Sequence, residues 1–171
     1  RSNSLPLSFS QERLWFLYQL FPESLAYNYT ITHRLAGDLD LPALQQSLQA
    51  LVDRHESLRT CFPTVDEKPV QRILEECSIP LSTHDLRHLP EPEREAAAGE
   101  LIEGEFLQPF DLDRGPVIRG ALLRMADRDH ILVITIHHIA TDAWSNSILL
   151  RDLAELYNAH LLQKSPTLPP L

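Results

Sequence analysis

Apolar and polar positions change period several times along the chain. Between Ser8 and Leu20, Leu14, Leu17 and Tyr18 share one helical face; Ser8 or Ser10 can cap this helix and Phe21-Pro22 stops it. Tyr27 to Leu35, YNYTITHRL, alternates and is β-rich, which predicts a strand. After a turn at Gly37-Asp38, Leu41, Leu44, Leu48, Leu51 and Val52 return to helical spacing with Pro42 in the first turn, a helix ending near His55. Leu58 to Phe62 reads as a short strand, with weaker strands at Pro69 to Leu74 and Ile79 to His84. Glu91 to Phe106 is a charged helix with an apolar stripe through Ala97, Leu101 and Ile102. Val117 to Met125 and His130 to His137 form a hairpin around Asp127-Arg128-Asp129. Its second strand, ILVITI, is apolar on both faces and is placed centrally in a covered sheet. Asn146 to Leu162 is the last helix.

The order α, β, α, β, β, β, α, β, β, α, without internal repeat, predicts an α+β fold: a mixed β-sheet with helices packed on it. Residues 1–165 read as one folded unit. The Pro-rich 166–171, PTLPPL, reads as the start of a linker to a further module.

With 171 residues the chain can bury a core of its own. A net charge of −9, with no Lys/Arg cluster longer than a pair, argues against nucleic-acid and anionic-membrane partners. No apolar run approaches the roughly 20 residues of a membrane helix. The start, Arg1 to Pro6, does not read as a signal peptide, so the cytoplasm is expected. Cys61 and Cys77 have no metal-ligand spacing and read as idle thiols of a reducing compartment.

Chemistry is concentrated where ITIHHIATDAW ends the last strand. His137 and His138 are adjacent, and adjacent strand residues point to opposite faces, which disfavours a shared zinc ion. A better arrangement holds one imidazole in the core and projects the other into a cleft as a single base. Asp142 can orient that site through an arginine, and Asp142 or Thr141 can cap the helix that follows. The plainer alternative is that the histidines only finish a strand. In RHESLRTCF, Arg54-His55 suit a helix C-terminus and Arg59 stands at a strand start; an ordinary solvated helix end is the competing reading. In SFSQERLWFL, Gln11, Arg13 and Trp15 lie on the first helix, with Trp15 also readable as core.

Taken together, these segments resemble the condensation domains of nonribosomal peptide synthetases. The family's first motif, roughly S-x-A-Q-x-R-L-W-x-L, is matched by Ser8 to Leu17 with Ser10 at the alanine position. R-H-E-x-L-R-T-x-F is matched in full by Arg54, His55, Glu56, Leu58, Arg59, Thr60 and Phe62. H-H-x-x-x-D-G-W-S is matched by His137, His138, Asp142, Trp144 and Ser145, with Ala143 in place of glycine. PFDLDRGPVIRGALL and the terminal LPPL are also family-like, so the resemblance spans essentially the whole chain.

The resemblance implies a chloramphenicol acetyltransferase-like lobe, one half of a two-lobed V-shaped domain with a tunnel between the lobes. Residues 1–165 then form the N-terminal lobe, and 166–171 lead to a C-terminal lobe not contained here. Such a domain joins two substrates carried as thioesters on the phosphopantetheine arms of a donor and an acceptor carrier protein. No cofactor or metal is implied on the lobe itself. His138 faces the tunnel and either takes a proton from the acceptor amine or positions it; His137 is structural. Asp142 holds the loop, ion-paired to Arg59 or to an arginine of the other lobe. A backbone N–H near Ala143 faces the developing oxyanion, and Trp144 packs under the loop. The isolated lobe is expected to fold but not to turn over, with an apolar face where its partner lobe would sit. Two further readings stay open: a non-catalytic module docking a carrier protein or tailoring enzyme, favoured by Ala143, and an epimerization domain of the same fold.

Overall fold

A computed structural model describes residues 5–171, with the side chain of Ala143 also outside the description. The reading of a missing signal peptide rests partly on Arg1 to Ser4 and lies outside the described residues.

Helix α1 (Phe9–Leu20) starts at Ser8, whose hydroxyl accepts from the Gln11 N–H at 3.3 Å while Gln11 Oε1 accepts from the Ser8 N–H at 2.9 Å. This reciprocal pair satisfies two groups that a helix start leaves without partners. Strand β1 (Asn28–Ala36) follows, then a turn through Gly37 at φ +116°, a conformation only glycine adopts cheaply. Helix α2 (Leu41–Arg54) is capped by Asp40 and buries Leu44, Leu48, Leu51 and Val52. Short pieces come next: β2 (Thr60–Cys61), β3 (Thr64–Val65), β4 (Lys68–Pro69), β5 (Arg72–Ile73) and β6 (Leu81–Asp85). Then α3 (Glu91–Phe106), β7 (Ile118–Ala126), β8 (Asp129–His137) and α4 (Ala143–Leu161) complete the chain.

The principal sheet has the order β1-β8-β7-β6. Strand β8 is antiparallel to both neighbours, with Asn28 opposite His137 and Ile118 opposite Ile136; β6 runs parallel to β7. The sheet is therefore mixed, as the pattern predicts, and α3 supplies the crossover that a parallel pair needs. Helices α2 and α4 cover one face, packing Leu48, Leu51, Leu149 and Leu153 on Ile118, Leu132, Ile134 and Ile136. Helix α3 covers the other through Ala98 against Leu123, Met125 and Val133. Coverage on both sides is why β8 carries apolar residues at nearly every position: His130 to His137 are all buried. A third, smaller core of Leu7, Phe62, Phe110, Leu112, Val117 and Ile139 lies beneath α1. No described helix is long and apolar enough to cross a membrane.

Three boundaries differ from the pattern. The strand expected at Leu58 to Phe62 begins as a 3-10 turn, Glu56–Arg59, that buries Leu58 and leaves only Thr60–Cys61 to pair with β5. The strand expected at Pro69 to Leu74 is split between two small hairpin sheets, because Pro69 has no N–H and the Val70 N–H turns to the Pro63 carbonyl. Helix α4 starts at Ala143 instead of Asn146, where the Asp142 carboxylate accepts from the Ser145 N–H at 2.8 Å. The residues read as a linker lie back along the lobe. Leu168 packs on the α2/α4 core, the Thr167 N–H donates to Glu155 at 2.7 Å, and Arg54 donates to the Pro169 carbonyl.

Candidate active site

The central strand ends at His137, and the chain turns through His138 to Ala140 before α4. His137 is 4% exposed and sits between Tyr27 and Phe110, with ring centroids 6.2 and 6.0 Å away. Its Nδ1 accepts from the Ile139 N–H at 3.1 Å, which fixes the ring and the turn together. Burial, with a smaller push from His138, lowers its pKa to about 4, so this imidazole is neutral at pH 7 and held in the core.

His138 is half-buried and opens into a groove of about 330 Å³ lined by Ser8, Ser10, Gln11, Thr141, Asp142 and Ser145. The N-terminal turns of α1 and α4 thus converge on one imidazole. The ring lies 5.2 Å from that of Tyr29, and its Nδ1 is 3.2 Å from the Thr141 carbonyl. A carbonyl oxygen only accepts, so Nδ1 carries a proton in this bond, and in the neutral ring Nε2 is the nitrogen that keeps a lone pair. Two imidazoles of different character therefore stand side by side: one locked in the core, one lining an open groove.

Asp142 is exposed and serves the start of α4, accepting from Ser145 Oγ–H at 2.7 Å and from the Ser145 N–H. These hydrogen bonds hold its carboxyl below the usual range. Arg59 does not reach it. That guanidinium donates to the Leu74 carbonyl at 2.6 Å and lies 3.7 Å from Glu56, closing the turn between α2 and β5. The pairing of Asp142 with Arg59 is thus corrected: within the described lobe Asp142 acts as a helix cap. Trp144 is corrected too. It is 79% exposed, because it stands about 140° around the helix from Leu149, away from the buried stripe, and does not pack under the loop.

The second motif lies away from the groove and braces the lobe. Asp152, wholly buried, accepts from Arg54 Nε at 3.0 Å, His55 Nε2 at 3.0 Å and Arg151 Nη2 at 2.8 Å. Burial alone would raise the Asp152 carboxyl; the donors outweigh it and hold it low. For His55 burial wins over the carboxylate, keeping that imidazole below its ordinary pKa. Sequence reading missed Asp152, although its signal was present: a lone carboxylate on the apolar stripe of Leu149, Leu153 and Leu156. It also missed that Ser8 and Ser10 line the same groove as His138, for which no local pattern exists. Trp15 resolves as partly buried, its indole N–H donating to the Phe62 carbonyl at 3.0 Å. Cys61 and Cys77 are free, and burial pushes both thiols up, as idle thiols require.

Sheet, helices and groove define the class: an α+β lobe that presents one histidine from the end of its central strand. The family model described as "Condensation domain" matches residues 1–171, and the chain belongs to that family as an N-terminal portion of such a domain. It is 46% identical to chondramide synthase cmdD of Chondromyces crocatus, over 98% of this chain and 4% of that protein. It is 43% identical to phosphinothricin tripeptide synthetase PhsB of Streptomyces viridochromogenes, over 97% of this chain and 14% of that protein. Among solved structures, the starter condensation domain of the rhizomide synthetase RzmA superposes with a TM-score of 0.90 at 26% identity. The alignment covers 98% of this chain and 40% of that one, so the chain spans well under half of the condensation structure it resembles.

Proposed function

We propose that this lobe forms the His138-bearing wall of a site that joins two carrier-bound substrates through an amide bond in nonribosomal peptide synthesis. One observation carries the reading: His138 places Nδ1 within 3.2 Å of the Thr141 carbonyl and lines an open groove with polar neighbours. The acceptor amine attacks the donor thioester carbon; the C–N bond forms as the C–S bond breaks. Nε2 of His138 orients the amine by accepting its N–H, takes the proton as nitrogen gains positive charge, and returns it to the departing sulfur. A thioester is already activated, so holding two tethered reactants together supplies much of the rate. A variant of the rhizomide starter condensation domain is known in complex with C8-CoA and Leu-SNAC, which supports a site for paired acyl and amino partners. The outer face of α1 leaves Phe9 92%, Phe16 57% and Leu20 54% exposed, an apolar patch of the kind a protein partner covers.

The test is His138→Ala in the complete two-lobed domain, with loaded donor and acceptor carriers in single turnover. General-base loss costs on the order of 10²- to 10⁴-fold, and unchanged amide formation overturns the role. A docking module without catalysis is the second reading, favoured by Ala143 where the family motif has glycine. Carrier binding without any amide product in the same assay would select it.

A further inference from the structure

Behind the Thr141 carbonyl that meets His138 lies a side-chain link that the reaction just described does not use. Thr141 is 7% exposed, and its carbonyl receives His138 Nδ1–H at 3.2 Å. Its hydroxyl lies 3.2 Å from Asn146 Oδ1 and 3.4 Å from the Asp142 carbonyl. Asn146 is in the first turns of α4, and its Nδ2 is buried without a protein partner at the edge of a small apolar cavity bordered by Ile31, Ile118 and Leu149. Farther along the same helix, Asp152 is clamped by Arg54 and His55 at 3.0 Å. The peptide that fixes the imidazole is therefore tied by a side-chain bond to a helix that is itself anchored in the core.

An isolated imidazole in water exchanges its ring proton between two nitrogens, and only the form with Nδ1–H presents a basic Nε2. We propose that Thr141 and Asn146 are positioning residues: their bond holds the Thr141 carbonyl where it keeps His138 in the Nδ1–H tautomer with Nε2 available to the groove. This deepens, and rests on, the reading of His138 as the base. A packing role for Thr141 would need only its shape, which valine nearly reproduces. A positioning role needs the hydroxyl.

Nitrogen-15 spectra of the histidine-labelled chain distinguish the two. With Thr141 intact, His138 shows a protonated Nδ1 and an unprotonated Nε2. Thr141→Val moves the ring toward a mixture of tautomers, and Thr141→Ser restores the original signature. In the two-lobed domain, Thr141→Val lowers the single-turnover rate about tenfold with the carrier KM unchanged, the size of a small misplacement of a reacting group; Thr141→Ser recovers it. Asn146→Leu, which keeps both Thr141 and the helix, serves if the valine variant does not fold. A wild-type tautomer signature and rate in folded Thr141→Val, or in Asn146→Leu in its place, overturns the proposal. If His138→Ala leaves the rate intact, the catalytic reading fails instead, and the spectra show separately whether the brace exists.

Discussion

Asp142 and Asp152 belong to the start and the middle of the same helix, and they do opposite work. Asp152 is entirely buried and answers three cationic or imidazole donors. Asp142 is exposed and answers one serine. The first holds α2, α4 and the Pro169 carbonyl together through Arg54. The second holds only the local helix start, at the rim of the His138 groove. A buried charge with several partners cannot release one without leaving another unpaired in a poorly solvated place, so it is a brace. A rim charge with water as an alternative partner can change company when a substrate or second lobe arrives. The same division separates the histidines: His137 is buried in the core and His55 is clamped to Asp152, while His138 is half-buried at the groove.

The sharpest way to break this comparison is Asp152→Ala. It strands Arg54 and His55, and the expected loss is about 3–5 kcal/mol of unfolding free energy in urea; a loss below about 1 kcal/mol would show the network to be incidental. His137 comes next, through pH. In the folded chain its pKa is about 4, against 6.5 for an ordinary imidazole. The unfolded chain therefore binds the extra proton first as pH falls. This share of stability is complete above pH 6.5, declines toward pH 4, and amounts to about 3 kcal/mol. Urea unfolding at pH 7.5 and 4.5 should show that decline, and His137→Asn should lack it; an equal decline in both proteins contradicts the assignment. Asp142→Ala should destabilise less than Asp152→Ala, and Asp142→Ser, which preserves a cap, less again. If Asp142→Ala equals Asp152→Ala in the same titration, the rim carboxylate is a brace after all. Trp144→Ser is expected within about 0.5 kcal/mol of wild type, since an exposed side chain has little packing to lose. A larger drop in the urea midpoint would restore the packing role that its exposure removes.

Much of this was legible without coordinates. The apolar run of ILVITI placed β8 in the middle of a covered sheet because burial on two faces removes the alternation that a half-exposed strand must show. Adjacent residues at a strand end must diverge, so one histidine in the core and one in a cleft followed from backbone geometry. A cap at Asp142 or Thr141 followed from residue type at a strand-to-helix junction, and the structure uses Asp142. The failures share a cause. The resemblance pairs Asp142 with Arg59 or with an arginine of another lobe, yet a guanidinium also binds carbonyls, and for Arg59 the nearby Leu74 carbonyl supplies one. The resemblance packs Trp144 under the loop, whereas its angle around α4 places it outside.

By itself the sequence determined the period of each long element, the mixed sheet, the caps and the family, because these depend on residues near one another in the chain or on a motif order. Only the tertiary structure decided which serines line the His138 groove, which carboxylate receives Arg54, and which ring nitrogen of His138 faces a carbonyl. Those are pairings across 97 or more residues of chain for the buried network, and a matter of where one carbonyl points for the imidazole. Local chemistry makes many such partners acceptable; packing around a shared core leaves room for one set.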